Sequence, residues 1–347
     1  MRALPFALLL AAPAAADTLR VATWDAGLSR DGPGLLLADI AARDPQVLAA
    51  AEILQAVRPD LLVLTGFDDD RRGLALAAFR ALLAEGPRGI AYPHGFHAEV
   101  NAGAPSFRDL DGDGRSMGPG DAWGWGRFPG QGGMALLSRL PVAEARTFRL
   151  HPWRGDRRLS SRSHWDVAIL LPGGPRLHLL AASPTPPLFA AENPDRNADE
   201  IAFWLPYLSG TPLTDDAGHS APLAAAPAVV LGNLNADPHD GAGHRDAIAS
   251  LLAHPRLQDP RPASTGGAAA ADPGHAGPPA LDTADWPGGD GSGENGPGNL
   301  RTDYVLPTRD LAVAASGVAW PAPGAPLAAA AATASAHRLV WVDLALP

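Results

Sequence analysis

The stretch RPDLLVLTGFD, Arg58–Asp68, decides the architecture. Leu61–Phe67 is an apolar run of strand length and reads as a buried strand. Before it, DPQVLAAAEILQAV (Asp44–Val57) repeats Val47, Ala51, Ile53, Leu54 and Val57 at helical spacing, with Pro59 just past the end. After it, GLALAAFRALLAEG (Gly73–Gly86) reads as a second helix closed by glycine. Upstream, LRVATWDAGL (Leu19–Leu28) reads as the first strand. Strand–helix–strand–helix at the start of a chain specifies a layered α/β fold.

The rest of the chain extends this pattern. Strands are predicted in GGMALLSRLPV (Gly132–Val142), SRSHWDVAILLPGG (Ser161–Gly174), RLHLLAAS (Arg176–Ser183) and AVVLGNLN (Ala228–Asn235). Three more, LRTDYVLP, LAVAASGVAW and HRLVWVDLAL, finish the chain. NADEIAFWLPYLSG is predicted as an amphipathic helix capped by Asn197, and GHRDAIASLLAHPRL as another. Residues 259–299, rich in Pro, Gly, Ala, Asp and Ser, are predicted as a long surface loop. With 347 residues and no repeat of fixed period, a single domain over 17–347 is the simplest division.

Residues 1–16 carry Arg2, the apolar core ALPFALLLAAP and Ala14-Ala15-Ala16 before Asp17, the pattern of a cleaved export leader. The expectation is a secreted or periplasmic chain starting near Asp17. No other segment is apolar enough to span a bilayer, and the chain is expected to be a monomer. There is no cysteine, which excludes disulfides, thiolate metal sites and a cysteine nucleophile. The net charge of -10 argues against generic nucleic-acid binding. All 27 cationic side chains are arginine.

Several motifs carry chemistry. DLDGDG places Asp109, Asp111 and Asp113 on alternate residues with Gly114 next, the first half of a calcium-binding loop. The twelfth position is Gly120 rather than a bidentate Glu, so the loop is incomplete; the expectation is bound Ca2+ at Asp109–Asp113, against a solvated acidic turn. Arg158, Arg162 and His164 lie close together in DRRLSSRSHWD and form a candidate phosphate-facing patch for a phosphorylated or polyanionic ligand, against an exposed strand edge. FDDD (Phe67–Asp70) is a possible cation site or a loop leading to a helix. Strand ends then bring Asp25, Gly66, Asn233, Asn235, Asp303 and His337 toward one cleft.

Taken in order, LRVATWD, RPDLLVLTGFD, FPGQGGMALLSR, SSRSHWDV, HLLAASPTPP, GNLNADP, ALDTADW, LRTDYVLP and HRLVWVDL resemble the endonuclease/exonuclease/phosphatase superfamily over nearly all of Leu19 to Leu346. The resemblance implies a four-layered α/β sandwich, two packed and mostly antiparallel sheets with helices outside. It also implies phosphoester hydrolysis assisted by Mg2+ or another divalent cation such as Mn2+. Family members place Asn at the end of the first strand, a metal-binding Glu after the second, and a His before the T-P-P segment. They also carry Asp-x-Asn after a central strand, Asp in D-Y-V-L-P, and Asp-His before the last strand.

This chain departs from that set at most positions. Asp25 stands for the Asn, Gly66 for the Glu, Ser183 for the first His, Asn233 for the Asp of Asp-x-Asn, and Ala336 for the Asp before the last His. Asn235, Asp303 and His337 are retained. Losing a general acid or base slows a reaction by about 10²–10⁴-fold. Gly66 offers no ligand atom, Ser183 no imidazole, and Ala336 no carboxylate to orient His337. The expectation is therefore a catalytically impaired relative. The alternative is an active phosphodiesterase or phosphatase in which Asp25 and Asp303, with Asp68 in support, form a substitute cation site.

Overall fold

Strand and helix periodicity assemble into four layers in a computed structural model that describes residues 18–223, 225–286 and 296–346. The predicted export leader, residues 1–16, and part of the predicted loop lie outside the described residues. One sheet contains β1 (Thr18–Leu28), β2 (Leu61–Phe67), β3 (His94–Phe96), β4 (Gly133–Ser138), β14 (Ala312–Val318) and β15 (Val340–Ala345). Its spatial order is β14-β15-β1-β2-β4-β3. The other contains β5 (Val142–Thr147), β6 (His164–Leu170), β7 (Arg176–Ala182), β10 (Ala228–Asn233) and β13 (Asp303–Pro307), in the order β13-β10-β7-β6-β5. Each sheet has one parallel step, β1 beside β2 and β7 beside β10, and is otherwise antiparallel.

The layering follows from side chains that alternate between the two faces of a strand. Val21, Leu61, Val63, Leu179, Val229, Leu231 and Val305 point between the sheets, where they pack with the fully buried Trp165. Their neighbours Ala22, Trp24, Leu62 and Leu64 point the other way, under α1 (Leu35–Ala42), α2 (Pro45–Val57), α3 (Leu74–Leu83) and α8 (Ala328–Ala334). On the second sheet Leu180, Ala228, Val230 and Leu306 face α4 (Asn193–Ala202), α5 (Trp204–Leu208) and α6 (Arg245–Leu252). An apolar run such as Leu61–Leu64 is thus apolar throughout because both its faces are covered. The predicted α/β sandwich, with helices outside two mixed sheets, is the observed fold.

Local chemistry explains where helices begin and end. The Asp44 carboxylate accepts the amides of Gln46 and Val47 at the start of α2, with Pro45 as its first residue. Asn197 is not the cap predicted from its position. It lies inside α4, buried, and its side chain donates to the carbonyls of Thr185 and Leu234. The segment 259–299 also differs from the predicted loop: it holds α7 (Thr265–Ala269), a 3-10 turn at Pro279–Leu281, and a ribbon of β11 (Ala284–Trp286) with β12 (Gly298–Leu300). A second ribbon joins β8 (Leu213–Thr214) to β9 (Ser220–Ala221). No helix among the described residues is long and apolar enough to cross a membrane.

Candidate active site

Two strand ends of one sheet and one of the other meet at a single cleft. Asn233, the last residue of β10, pairs in register with Asp303, the first of β13. Across the gap between sheets, the Asn233 amide donates to Asp25 Oδ2 at 3.3 Å, where β1 bulges past residue 25. Asp25, Asn233, Asp303 and His337 therefore converge.

Asp303 and His337 form the best-ordered part of this cluster. Asp303 Oδ2 lies 2.8 Å from His337 Nδ1 and accepts the hydroxyls of Thr283 and Thr302 at 2.9 and 3.0 Å. Burial disfavours the imidazolium, but Asp303, with a further pull from Asp25, outweighs it and raises the His337 pKa above its ordinary value. Trp24 Nε1 donates to the His337 carbonyl at 3.1 Å, and the Trp286 ring stands edge-on to the imidazole at 5.0 Å. With Nδ1 committed to Asp303, Nε2 is the nitrogen left for a ligand. This corrects the expectation that Ala336 deprives His337 of its orienting carboxylate: that role belongs to Asp303, and Ala336 contributes a carbonyl that accepts from Asp285 N–H.

Gly66 and Asp25 are a matched pair. The backbone at Gly66 has φ +59°, and a Cβ placed there would lie 2.1 Å from Asp25 Oδ1. The Asp25 carboxylate thus fills the space in which any residue-66 side chain would begin. Ser183 is buried and offers its carbonyl to the Ser161 hydroxyl. Asn235 adopts φ +50°; its backbone N–H donates to Asn233 Oδ1 and its side chain to the Pro184 carbonyl. The two amides are engaged in shaping the loop, and neither can take a proton near neutral pH.

A divalent cation needs several hard oxygen ligands at once. Asp25 brings one carboxylate, already approached by Asn233 and by the Gly27 amide at 3.3 Å. Asp303 Oδ2 is engaged as described, while its Oδ1 is buried with no hydrogen-bond partner among the described residues. The two oxygens of Asp68 accept the amides of Gly132 and Arg30 at 2.9 and 2.8 Å, which ties this carboxylate to the loops around it. Among the described residues, no group of three ligating side chains gathers at this cleft. With Gly66 and Asn233 standing where the family has two carboxylates, Asp25 and Asp303 are the carboxylates this cluster offers a cation.

The other predicted positions separate. His164 is fully buried, 2.7 Å from the Ser160 hydroxyl and 2.8 Å from the Glu200 carbonyl, and burial pushes its pKa down to about 3. It is a neutral internal histidine and leaves the predicted phosphate patch. Arg158 stacks on Trp123 at 4.3 Å and donates to Asn101, while Arg162 donates to the Gly132 carbonyl. FDDD splits into separate tasks: Asp69 pairs with His97, and Asp70 accepts the amides of Leu74 and Ala75 at the start of α3. Asp109 and Asp111 gather with Asp121 rather than with the predicted Asp113.

Sequence reasoning missed Thr283 and Trp286, because it read 259–299 as a loop. Alternating apolar and polar residues in ALDTADW are the available signal: Thr283 Oγ accepts the amides of Thr302 and Asp303, and Ala284 bridges to His337. A separate pocket of about 340 Å³ is lined by Asp237, His239, Asp259, Asp282 and Arg301. Burial, reinforced by Asp237, pushes the Asp282 carboxyl up to about 7. None of the converging residues lines that pocket.

The Endonuclease/Exonuclease/phosphatase family model matches residues 22–337. No curated protein matches the sequence. Among solved structures, an endonuclease/exonuclease/phosphatase from Beutenbergia cavernae aligns with a TM-score of 0.55 at 20% identity, over 95% of this chain and 72% of that one. A family protein from Leptotrichia buccalis gives 0.53 at 15% identity, over 94% and 100%. The human Nocturnin catalytic domain with bound sulfate gives 0.52 at 13% identity, over 94% of each. These structural likenesses establish a shared fold.

Proposed function

The chain belongs to the endonuclease/exonuclease/phosphatase family, whose members are metal-dependent phosphoester hydrolases, and from that footing we propose that this one is a catalytically impaired member. It keeps the phosphate-facing part of the centre and has lost the groups that hold the cation and activate water. One observation carries the reading: Asn233, at the position of the family's activating carboxylate, is an amide whose hydrogen donors and acceptor are turned to Asp25 and Asn235. Gly66 and Ser183 remove a metal ligand and an imidazole from the same cleft. His337 Nε2 and the second side-chain N–H of Asn235 remain to meet a phosphorylated ligand. In this reading the chain acts outside the cytoplasm, exported through the leader at its N-terminus.

A second reading rests on Asp25. Its carboxylate lies against Gly66, so the charge of the family's Glu is displaced onto β1 instead of deleted. An active enzyme with a reorganised site would depend on it. The two readings part when the purified chain is incubated with DNA, RNA and bis-p-nitrophenyl phosphate in Mg2+, Mn2+ or Ca2+. We expect no turnover above the metal-only blank. Turnover that Asp25→Ala or Asp303→Ala abolishes would sink the impaired reading.

A further inference from the structure

The acidic loop left over from the sequence has a different composition in three dimensions. Asp109, Asp111 and Asp121 each bring a carboxylate oxygen within 4.8 Å of the other two. Asp113, which completes the linear D-x-D-x-D pattern, is outside this group, and its carboxylate accepts the Arg115 amide at 2.8 Å. Asp109 is folded back on the loop, with its oxygens accepting the amides of Gly112 and Gly114 at 2.7 and 3.0 Å. At Gly120 the chain runs close against Asp111, and a Cβ there would lie 2.1 Å from Asp111 Oδ2. That close approach brings the chain back on itself and sets Asp121 against the two earlier aspartates.

Asp121 supplies the independent signal. It is 1% exposed, while Asp109 and Asp111 are exposed. Its Oδ1 accepts the amide of Leu110, the residue between the other two aspartates, at 2.9 Å. Its Oδ2 is buried and has no hydrogen-bond partner among the described residues. A buried carboxylate oxygen without a donor is strongly disfavoured, and two further carboxylates close by make it more so. A cation bound by all three removes both penalties.

The geometry points to a calcium site formed by Asp109, Asp111 and Asp121, built on a hairpin-like loop and separate from the cleft. All three ligands are hard oxygens, with no histidine or cysteine, which disfavours zinc. An irregular loop suits the six to eight ligands of Ca2+ better than the strict octahedron of Mg2+, which keeps most of its water. The loop is tied to neighbouring structure: Arg157 donates to the Leu110 carbonyl, and Trp123, two residues after Asp121, stacks on Arg158. Calcium there fixes the 109–121 loop against the 157–162 segment.

Titration with Tb3+ tests this on the native chain, since Trp123 and Trp125 lie within reach as sensitisers. We expect sensitised Tb3+ emission that Ca2+ displaces at much lower concentration than Mg2+. At a calcium level a hundredfold above its Kd, the melting temperature should rise by about 4 °C relative to chelator. Asp121→Asn should lose that rise and Asp113→Asn should keep it, each read as the difference with and without calcium in the same variant. Absence of both emission and thermal shift in the native chain would overturn the site. Retention of the shift in Asp121→Asn, or its loss in Asp113→Asn, would overturn the assignment of ligands.

Discussion

The variant Asp25→Asn, Gly66→Glu, Ser183→His, Asn233→Asp should hydrolyse bis-p-nitrophenyl phosphate in Mg2+ at least about 10²-fold faster than the native chain. The four changes have to be made together. Gly66→Glu alone would drive its Cβ into Asp25 Oδ1 at a backbone φ of +59°. A left-handed conformation already costs a side-chain-bearing residue roughly 1–2 kcal/mol, and the clash adds to that. Asp25→Asn removes the charge that would repel the new Glu, and residue 25, of unchanged size, has to turn its side chain away from the new Cβ. Asn233→Asp then returns a carboxylate to the end of β10, and Ser183→His an imidazole to the end of β7. Each restored group is worth about 10²–10⁴-fold singly, but groups acting as one unit do not multiply, which is why the lower figure is the one expected. Steady-state kinetics on the folded variant is the check. A variant with a native circular-dichroism spectrum and no gain in rate would show that the impairment lies elsewhere.

Asp303→Ala should lower stability by about 3–5 kcal/mol at pH 6, the usual result of removing one partner from a buried charged pair. The distances support the upper part of that range: Oδ2 of Asp303 serves His337, Thr283 and Thr302 at once, all buried. The pH dependence has a definite sign. His337 has its folded pKa raised above the unfolded value of about 6.5. The folded state therefore binds the proton more tightly, and the pair's contribution is fully present below the unfolded pKa. It is lost as pH rises through the folded pKa. Urea denaturation midpoints at pH 6 and pH 9 should show the native chain losing this increment, and Asp303→Ala showing no such step. Equal steps in both chains would mean that the dyad is not the source.

Sequence alone carried the layered α/β pattern because its evidence is local, while the two-sheet sandwich followed from the family resemblance. Leu61–Phe67, Arg176–Ser183 and Ala228–Asn235 read as strands from their apolar runs; the first is the observed strand, and the other two end earlier, at Ala182 and Asn233. The 259–299 segment was not legible, because its helix and ribbon are short and hold together through contacts with distant residues. Thr283 is defined by Thr302 and Asp303, and Ala284 by His337. The same limit applies to charges. Asp303 is 34 residues from His337, so no spacing rule identifies it as the orienting carboxylate. Asp121 escapes the calcium-loop pattern because a folded-back loop, rather than sequence alternation, brings it to Asp109 and Asp111. His164 misled for the opposite reason: neighbouring arginines suggested a surface, whereas its strand places it under Phe203 and Trp204.

Whether the cleft still holds a cation is tested most directly by a Mn2+ titration followed by electron paramagnetic resonance, with calcium present to fill the 109–121 loop. The native chain and Asp25→Ala should give the same binding curve, because Gly66 and Asn233 have replaced two carboxylates of the family's set and leave Asp25 and Asp303 short of the several oxygen ligands a tight site needs. A manganese site present in the native chain and missing in Asp25→Ala would contradict this, and would identify a metal centre rebuilt around Asp25.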